Sequence, residues 1–257
     1  MKRLKRPNRK QNRKPRRTEP LFMELVQHMN PPTRIALFDL DHTLLPIDSD
    51  FTWASFTNAV GWTRPEDVQQ QNERFYADYQ RGCLDMGQYI RFVTQAIQGL
   101  PAQQLAEVQQ RYVHEFIQPH ILPPALDLLQ QHRQAGDTVV LTTATNRFIA
   151  DAVGAQLGFA ADHILATELQ YTADGRITGQ MLGQANLREG KVHNLARWLA
   201  ARGQQWGDVH ITFYSDSTND LPLLEQAQVP VATNPDARLR TIAHERGWRI
   251  LDLFPTR

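Results

Sequence analysis

The sequence predicts an α/β fold, a doubly wound parallel sheet with a Rossmann-like core and an inserted helical subdomain, and three observations predict it. Apolar runs of strand length recur at 35–39, 138–143, 210–214 and 229–232. Helical patterns lie between them, the alternation that βα units produce. Acidic or hydroxyl-bearing residues close the first three runs, and open α/β sheets place their chemistry at the carboxyl ends of strands.

The first run, Ile35-Ala36-Leu37-Phe38, is short, apolar and bounded, as a strand buried on both faces should be. Some ninety residues of different character follow. Residues 51–118 are rich in Gln, Tyr, Phe and Trp with helical periodicity and no clear strand, and Pro119 and Pro123-Pro124 mark the return to the sheet. A connection of that length is either functional or a subdomain. We therefore divide the chain into a basic extension (1–30), a core (31–47 and 119–257) and a helical cap (48–118), a lid over the mouth marked by Asp39. Residues 168–184 suit a β-hairpin turning at Asp174-Gly175. Glu189 to Arg202 carries an amphipathic helical face, Pro235 opens a helix that Gly247 stops, and Arg249 to Leu253 suits an edge strand.

At 257 residues with 41% apolar and 9% aromatic content, the chain can form one α/β domain with an insertion. No window approaches a membrane span and no signal peptide pattern is visible. The single cysteine, Cys83, excludes an intramolecular disulfide and reads as a packing or surface residue, so a reducing cytoplasm is the expected location. Residues 1–17 hold ten Lys or Arg and no acid, which leaves 18 basic against 27 acidic residues, a net of −9 for the remainder. With little apolar content, that tail is expected to be disordered. It could track nucleic-acid phosphates or an anionic membrane surface. We read it instead as dispensable, or as a product of start-site choice given Met23 and Met29, because no aromatic residue is interleaved for base stacking.

Four segments carry candidate chemistry. Asp39-Leu40-Asp41-His42-Thr43 closes the first strand with two acids at spacing two. One can attack covalently, the other can move a proton, and a divalent cation lowers the cost of keeping both ionised. Capping of the next element is the structural alternative. Thr142-Thr143-Ala144-Thr145-Asn146 ends the second run with hydroxyls and N–H groups before a helix, an anion cradle or merely good strand residues. Lys191 opens a helix, where a cation opposes the macrodipole; it either meets a phosphoryl group or is a solvated lysine. Asp216-Ser217-Thr218-Asn219-Asp220 ends the third run with two more acids, suited to Mg²⁺ or to helix capping.

In that order, these motifs closely resemble the haloacid dehalogenase superfamily over roughly residues 33–254. The resemblance implies Asp39 as the nucleophile that forms an aspartyl-phosphate and Asp41 as general acid and base. It also implies Thr143 and Lys191 on the phosphoryl oxygens, and Mg²⁺ held by Asp39, Asp216 and the backbone carbonyl of Asp41. Asp220 would support the metal or hold Lys191, and Thr43 would fix the turn. An acid at position 41 is similar to the phosphatases and phosphomutases of that superfamily, not to its dehalogenases or cation pumps. The inserted helices resemble the phosphoserine phosphatase branch, which includes histidinol-phosphate phosphatases. That branch has a Glu nine residues after the nucleophile where this chain has Asp48, and a cap Arg that aligns on Val93, with Arg91 nearby. Asp48, Arg91 and Asn146 are thus the candidate contacts to the rest of a small phosphate ester. The departures favour an amino-bearing substrate without a carboxylate, such as histidinol phosphate, over phosphoserine. A phosphotransferase or mutase is the alternative within the superfamily, and a nucleic-acid or membrane-associated module working through the basic arm is the alternative outside it.

Overall fold

The computed structural model describes residues 32–254. The basic arm, and with it the expectation for residues 1–30, lies outside the described residues.

A six-stranded parallel sheet forms the core. Its strands are β1 (Thr33–Phe38), β2 (Thr138–Asn146), β3 (Ile164–Thr167), β6 (Val209–Ser215), β7 (Val229–Thr233) and β8 (Arg249–Leu251). The order is β3-β2-β1-β6-β7-β8, so β1 is central and its neighbours are strands remote in the chain. β4 (Leu169–Tyr171) and β5 (Ile177–Met181) form the expected antiparallel hairpin, with Gly175 at φ +82° in its turn.

Alternation along β1 sorts its side chains onto two cores. Ala36 and Phe38 point to one, which includes Leu128 and Leu129 of α5 (Pro123–Gln134) and Ile149 and Val153 of α6 (Arg147–Gln156). Ile35 and Leu37 point to the other, with Leu195 and Trp198 of α7 (Glu189–Ala200), Leu223 and Leu224 of α8 (Leu221–Leu224), and Leu239 of α9 (Ala237–Arg246). Helices on both faces of a parallel sheet make the fold doubly wound. α9 ends as the sequence predicts, with Gly247 in the left-handed region at φ +64°.

Between β1 and α5 the chain is helical. α1 (Ser49–Ala59), α2 (Pro65–Gln80), α3 (Met86–Thr94) and α4 (Ala102–Tyr112) are followed by a π-helical turn over Val113–Ile117. Trp53, Phe56 and Tyr112 are buried and meet edge to face or tilted. Trp53 Nε1 also donates to the Val93 carbonyl at 2.8 Å, tying α1 to α3. The hairpin supports these helices, the Gly99 N–H donating to the Ile177 carbonyl at 3.1 Å.

Two strands differ from expectation. β2 continues through Asn146, beyond the expected end at 143, because Thr145 and Asn146 are buried and keep an extended backbone. β3 was not anticipated; Ile-Leu-Ala-Thr is too short to show a period, and it is fixed by a remote residue. Buried Asn186 donates to the Leu165 and Thr143 carbonyls, both at 2.9 Å, pinning β3 against β2.

Candidate active site

The carboxyl ends of β1, β2 and β6 face a cavity of about 340 Å³ beneath the inserted helices. Its floor is the segment after β1. The Asp39 N–H extends the ladder to the Tyr214 carbonyl at 2.9 Å. The chain then folds tightly, with the Leu40 carbonyl accepting from the N–H groups of Thr43, Leu44 and Leu45. His42 takes a positive φ of 58° in this turn, and Asn234 Nδ2 braces its carbonyl at 2.8 Å. Such a backbone conformation is uncommon for a side chain with a Cβ.

Lys191 is the cation of this floor. It is 2% exposed, and its Nζ donates to Asp39 Oδ1 and Asp220 Oδ2, each at 2.7 Å. Burial alone would lower its pKa, but Asp220 and Asp39 outweigh that and hold it above the usual lysine value. The ammonium therefore remains charged. Gly190 makes this seat possible. A Cβ there would lie 1.9 Å from the Ala185 carbonyl oxygen, so only glycine lets α7 start this close to the preceding loop. Ser215 Oγ donates to the same Asp220 oxygen at 2.7 Å and completes the support.

Asp39 and Asp216 approach each other from adjacent strands. Thr43 Oγ1 lies between them, 3.3 Å from Asp39 Oδ2 and 3.5 Å from Asp216 Oδ1. Burial pushes Asp39 up to about 7, against the pull of Lys191. Burial, then Asp39 itself, raises Asp216 well above the usual carboxylate range. Two buried aspartates (39 and 220) and two half-buried ones (41 and 216) thus stand around one lysine, which pairs with Asp39 and Asp220. That charge excess, and a donor set made only of oxygens, fits a hard divalent cation such as Mg²⁺.

The four carboxylates do not all turn to one point, as their hydrogen bonds show. Asp220 is committed to Lys191 and Ser215. The Asp41 carboxylate turns toward α1, accepting from the Ser49 N–H at 2.7 Å and from Thr145 Oγ1 at 2.8 Å. Among the described residues, no group of three His, Cys, Asp or Glu side chains is placed to hold a metal. Two carboxylates, Asp39 and Asp216, with the Asp41 backbone carbonyl remain as the donors that fit, consistent with the few protein ligands Mg²⁺ usually takes.

Asp41 is itself tuned by its setting. Burial, then the charge of Asp48, pushes it up to about 6, while Ser49 and Thr145 pull it down. A carboxyl poised near neutrality can both give and take a proton. Thr145 and Ser49 escaped sequence reasoning because each acts only through Asp41, one from β2 and one from α1.

The remaining expected residues divide. Thr143 is buried and lines the cavity, its Oγ1 accepting from the Thr145 N–H at 3.1 Å. Asp48 lines the cavity while capping α1 through the Phe51 N–H at 2.8 Å. Asn146 caps α6 and donates to Asp50 Oδ1 at 3.2 Å. The structure does not bring Arg91 to the cavity. It stands on the exposed face of α3, beside Gln88 and Gln95, because the buried face of that helix is taken by Met86, Ile90 and Val93.

Three core side chains grip the carboxyl end of α2. Asn219 Nδ2 donates to the Tyr79 carbonyl at 3.0 Å, Arg238 Nη1 to the Gln80 carbonyl at 3.2 Å, and Arg188 Nη1 to the Gly82 carbonyl at 2.7 Å. Carbonyls at a helix end lack intrahelical partners and carry partial negative charge, so donors and guanidinium groups suit them. Burial, then the charge of Asp216, raises the Tyr79 hydroxyl well above its usual range.

Residues 36–225 match the family of haloacid dehalogenase-like hydrolases. The chain belongs to that family. It is 41% identical over 221 residues to a histidinol-phosphatase of Neisseria meningitidis serogroup C, covering 85% of this chain and 98% of that one. It is 32% identical over 223 residues to a phosphoserine phosphatase of Mycobacterium tuberculosis, covering 86% of this chain and 71% of that one. A crystal structure of a protein of unknown function from Bordetella pertussis Tohama I superposes with a TM-score of 0.80 at 40% identity, over 87% of this chain and all of the other. Within the family the chain thus falls in the branch that contains these phosphatases. Among the described residues no helix is long and apolar enough to cross a membrane.

Proposed function

We propose that the protein is a Mg²⁺-dependent phosphomonoesterase acting on a small amine-bearing phosphate ester such as histidinol phosphate. The observation that carries this reading is the Lys191 bridge between Asp39 and Asp220, 2.7 Å to each. A lysine committed this way engages Oδ1 of Asp39, and Oδ2, 3.3 Å from Thr43 Oγ1, is the oxygen for in-line attack on phosphorus. The named activity of the Neisseria relative supports the choice of ester.

In this account Asp39 attacks and the P–O bond to the alcohol breaks as the aspartyl-phosphate forms. Asp41, in its protonated form, gives its proton to the leaving alkoxide. It then takes a proton from the water that hydrolyses the acyl-phosphate, so acid and base are one group in two steps. Lys191, the Thr143 hydroxyl and the N–H groups at the end of β2 meet the phosphoryl oxygens, and the inserted helices exclude bulk water. Mg²⁺, when bound by Asp39, Asp216 and the Asp41 carbonyl, supplies charge neutralisation for the transferring group.

A panel containing p-nitrophenyl phosphate, histidinol phosphate, phosphoserine, sugar phosphates and nucleotides, assayed with Mg²⁺ and with EDTA, tests the proposal. Hydrolysis that requires Mg²⁺, with histidinol phosphate at the highest kcat/KM, is expected. Metal-independent turnover, or transfer of the phosphoryl group to a sugar in place of water, would replace this reading.

A further inference from the structure

Beyond the phosphoryl end, the cavity holds a carboxylate that the chemistry above does not use. Asp50 is the second residue of α1 and only 5% exposed, yet it lines the cavity. Its Oδ2 accepts from the Tyr89 hydroxyl at 3.0 Å and its Oδ1 from Asn146 Nδ2 at 3.2 Å. Both donors are neutral. They fix the plane of the carboxylate without compensating its charge, and among the described residues Asp50 enters no ion pair. A buried charge left in that state is costly unless a cation arrives.

The rest of that end is aromatic. Phe75, Tyr76 and Tyr79 of α2 line the same cavity with Tyr89 of α3. Ring faces carry negative quadrupole charge and attract ammonium and imidazolium groups. Charge across the whole lining is one-sided. Six aspartates (39, 41, 48, 50, 216 and 236) face it, and of the described lining residues only Arg238 carries a fixed positive charge. Arg238 is already spent on the Gln80 carbonyl. A carboxylate on the substrate would meet repulsion here, and a cation would not.

We propose that Asp50, oriented by Tyr89 and Asn146, is the specificity-determining carboxylate that receives a protonated amine or imidazolium on the alcohol part of the ester. The aromatic residues of α2 form the wall along which that part lies. This inference rests on the phosphomonoesterase reading and deepens it. The substrate class becomes phosphate monoesters that are cationic at the far end and bear no carboxylate. It also moves the selecting role from Asp48 to Asp50. Burial, then the charges of Asp48 and Asp41, holds the Asp50 carboxyl well above the usual carboxylate range.

The test compares the wild-type chain with Asp50→Asn in Mg²⁺, on histidinol phosphate, phosphoethanolamine, phosphoserine, glycerol 3-phosphate and p-nitrophenyl phosphate. Loss of a charge-assisted hydrogen bond corresponds to roughly ten- to hundredfold. Asp50→Asn should therefore lower kcat/KM for the two carboxylate-free amines by that factor relative to p-nitrophenyl phosphate, mainly through KM. Tyr89→Phe, which keeps the ring and removes the orienting hydroxyl, should shift the same ratio by a few-fold. In the wild type, free histidinol should compete with p-nitrophenyl phosphate more strongly than serine does, a readout that needs no variant to fold. An unchanged ratio in Asp50→Asn, or a wild-type preference for phosphoserine or glycerol 3-phosphate, would overturn the assignment alone. Failure of the wild type to hydrolyse any ester, p-nitrophenyl phosphate included, would overturn the phosphatase reading and this assignment with it.

Discussion

Asp39 and Asp50 face the same cavity, but their surroundings differ in kind. Asp39 continues a central strand and is paired with Lys191, a buried cation held from the other side by Asp220. Asp50 opens a helix and meets only a phenol and an amide. The first setting supplies a buried cation for a group of constant chemistry, the phosphoryl. The second is left short of positive charge, and its walls come from helices whose placement depends on packing between Trp53, Phe56 and Tyr112. Reaction and selection are thus housed in separate structural layers, a rigid sheet end and an inserted helical layer.

Breaking the sheet-end half should produce the largest effect. Asp39→Asn should cost at least ~10³-fold in p-nitrophenyl phosphate turnover, as removal of a covalent nucleophile does. Its circular dichroism should stay native, since Asp220 still pairs Lys191; activity within a few-fold of wild type would break the comparison. Lys191→Met leaves Asp39 and Asp220 facing each other uncompensated and should cost ~3–5 kcal/mol in urea unfolding, the range for breaking a buried pair.

The same charge excess gives a pH dependence whose sign is fixed. Burial holds Asp39 at about 7 and Asp41 at about 6, above the ordinary value of 3.8, so the folded state binds more protons than the unfolded one. In EDTA, Tm should therefore fall as pH rises from about 5 to about 8, through the range of those two folded-state values. Mg²⁺ should oppose the fall, because it substitutes for the lost protons. A Tm that climbs over this interval in EDTA would contradict the charge assignment.

The smallest effect belongs to the helical layer. Arg188→Ala removes one of three donors to the carboxyl end of α2. It should change kcat and KM together by a few-fold, as a lid contact does, and stability by under ~1 kcal/mol. A change in thermal stability with unaltered kinetics would make the latch structural only.

The same contrast explains what the sequence made legible. Asp39, Asp41, Asp216 and Lys191 stand at strand ends or a helix start, where local pattern and chemistry coincide, and the fold brings them together. Thr143 follows the same rule. Thr145 and Ser49 matter only through Asp41, and Asn186 only through β3, so spacing along the chain carries no trace of them. Arg91 illustrates the opposite failure. Alignment to a related pattern put it near a substrate position, but the amphipathic phase of α3 turns it outward. Asp50 stood beside Asp48, which matches the branch's Glu position, and its own partners, Tyr89 and Asn146, come from remote segments.

Acid quenching during turnover, followed by mass analysis of the peptide that carries residues 37–47, locates the phosphoryl group on the protein. A gain of one phosphoryl group on Asp39, abolished in Asp39→Asn, is expected. Steady turnover with no phosphorylated Asp39, or with the phosphoryl group on another residue, would contradict Asp39 as the nucleophile.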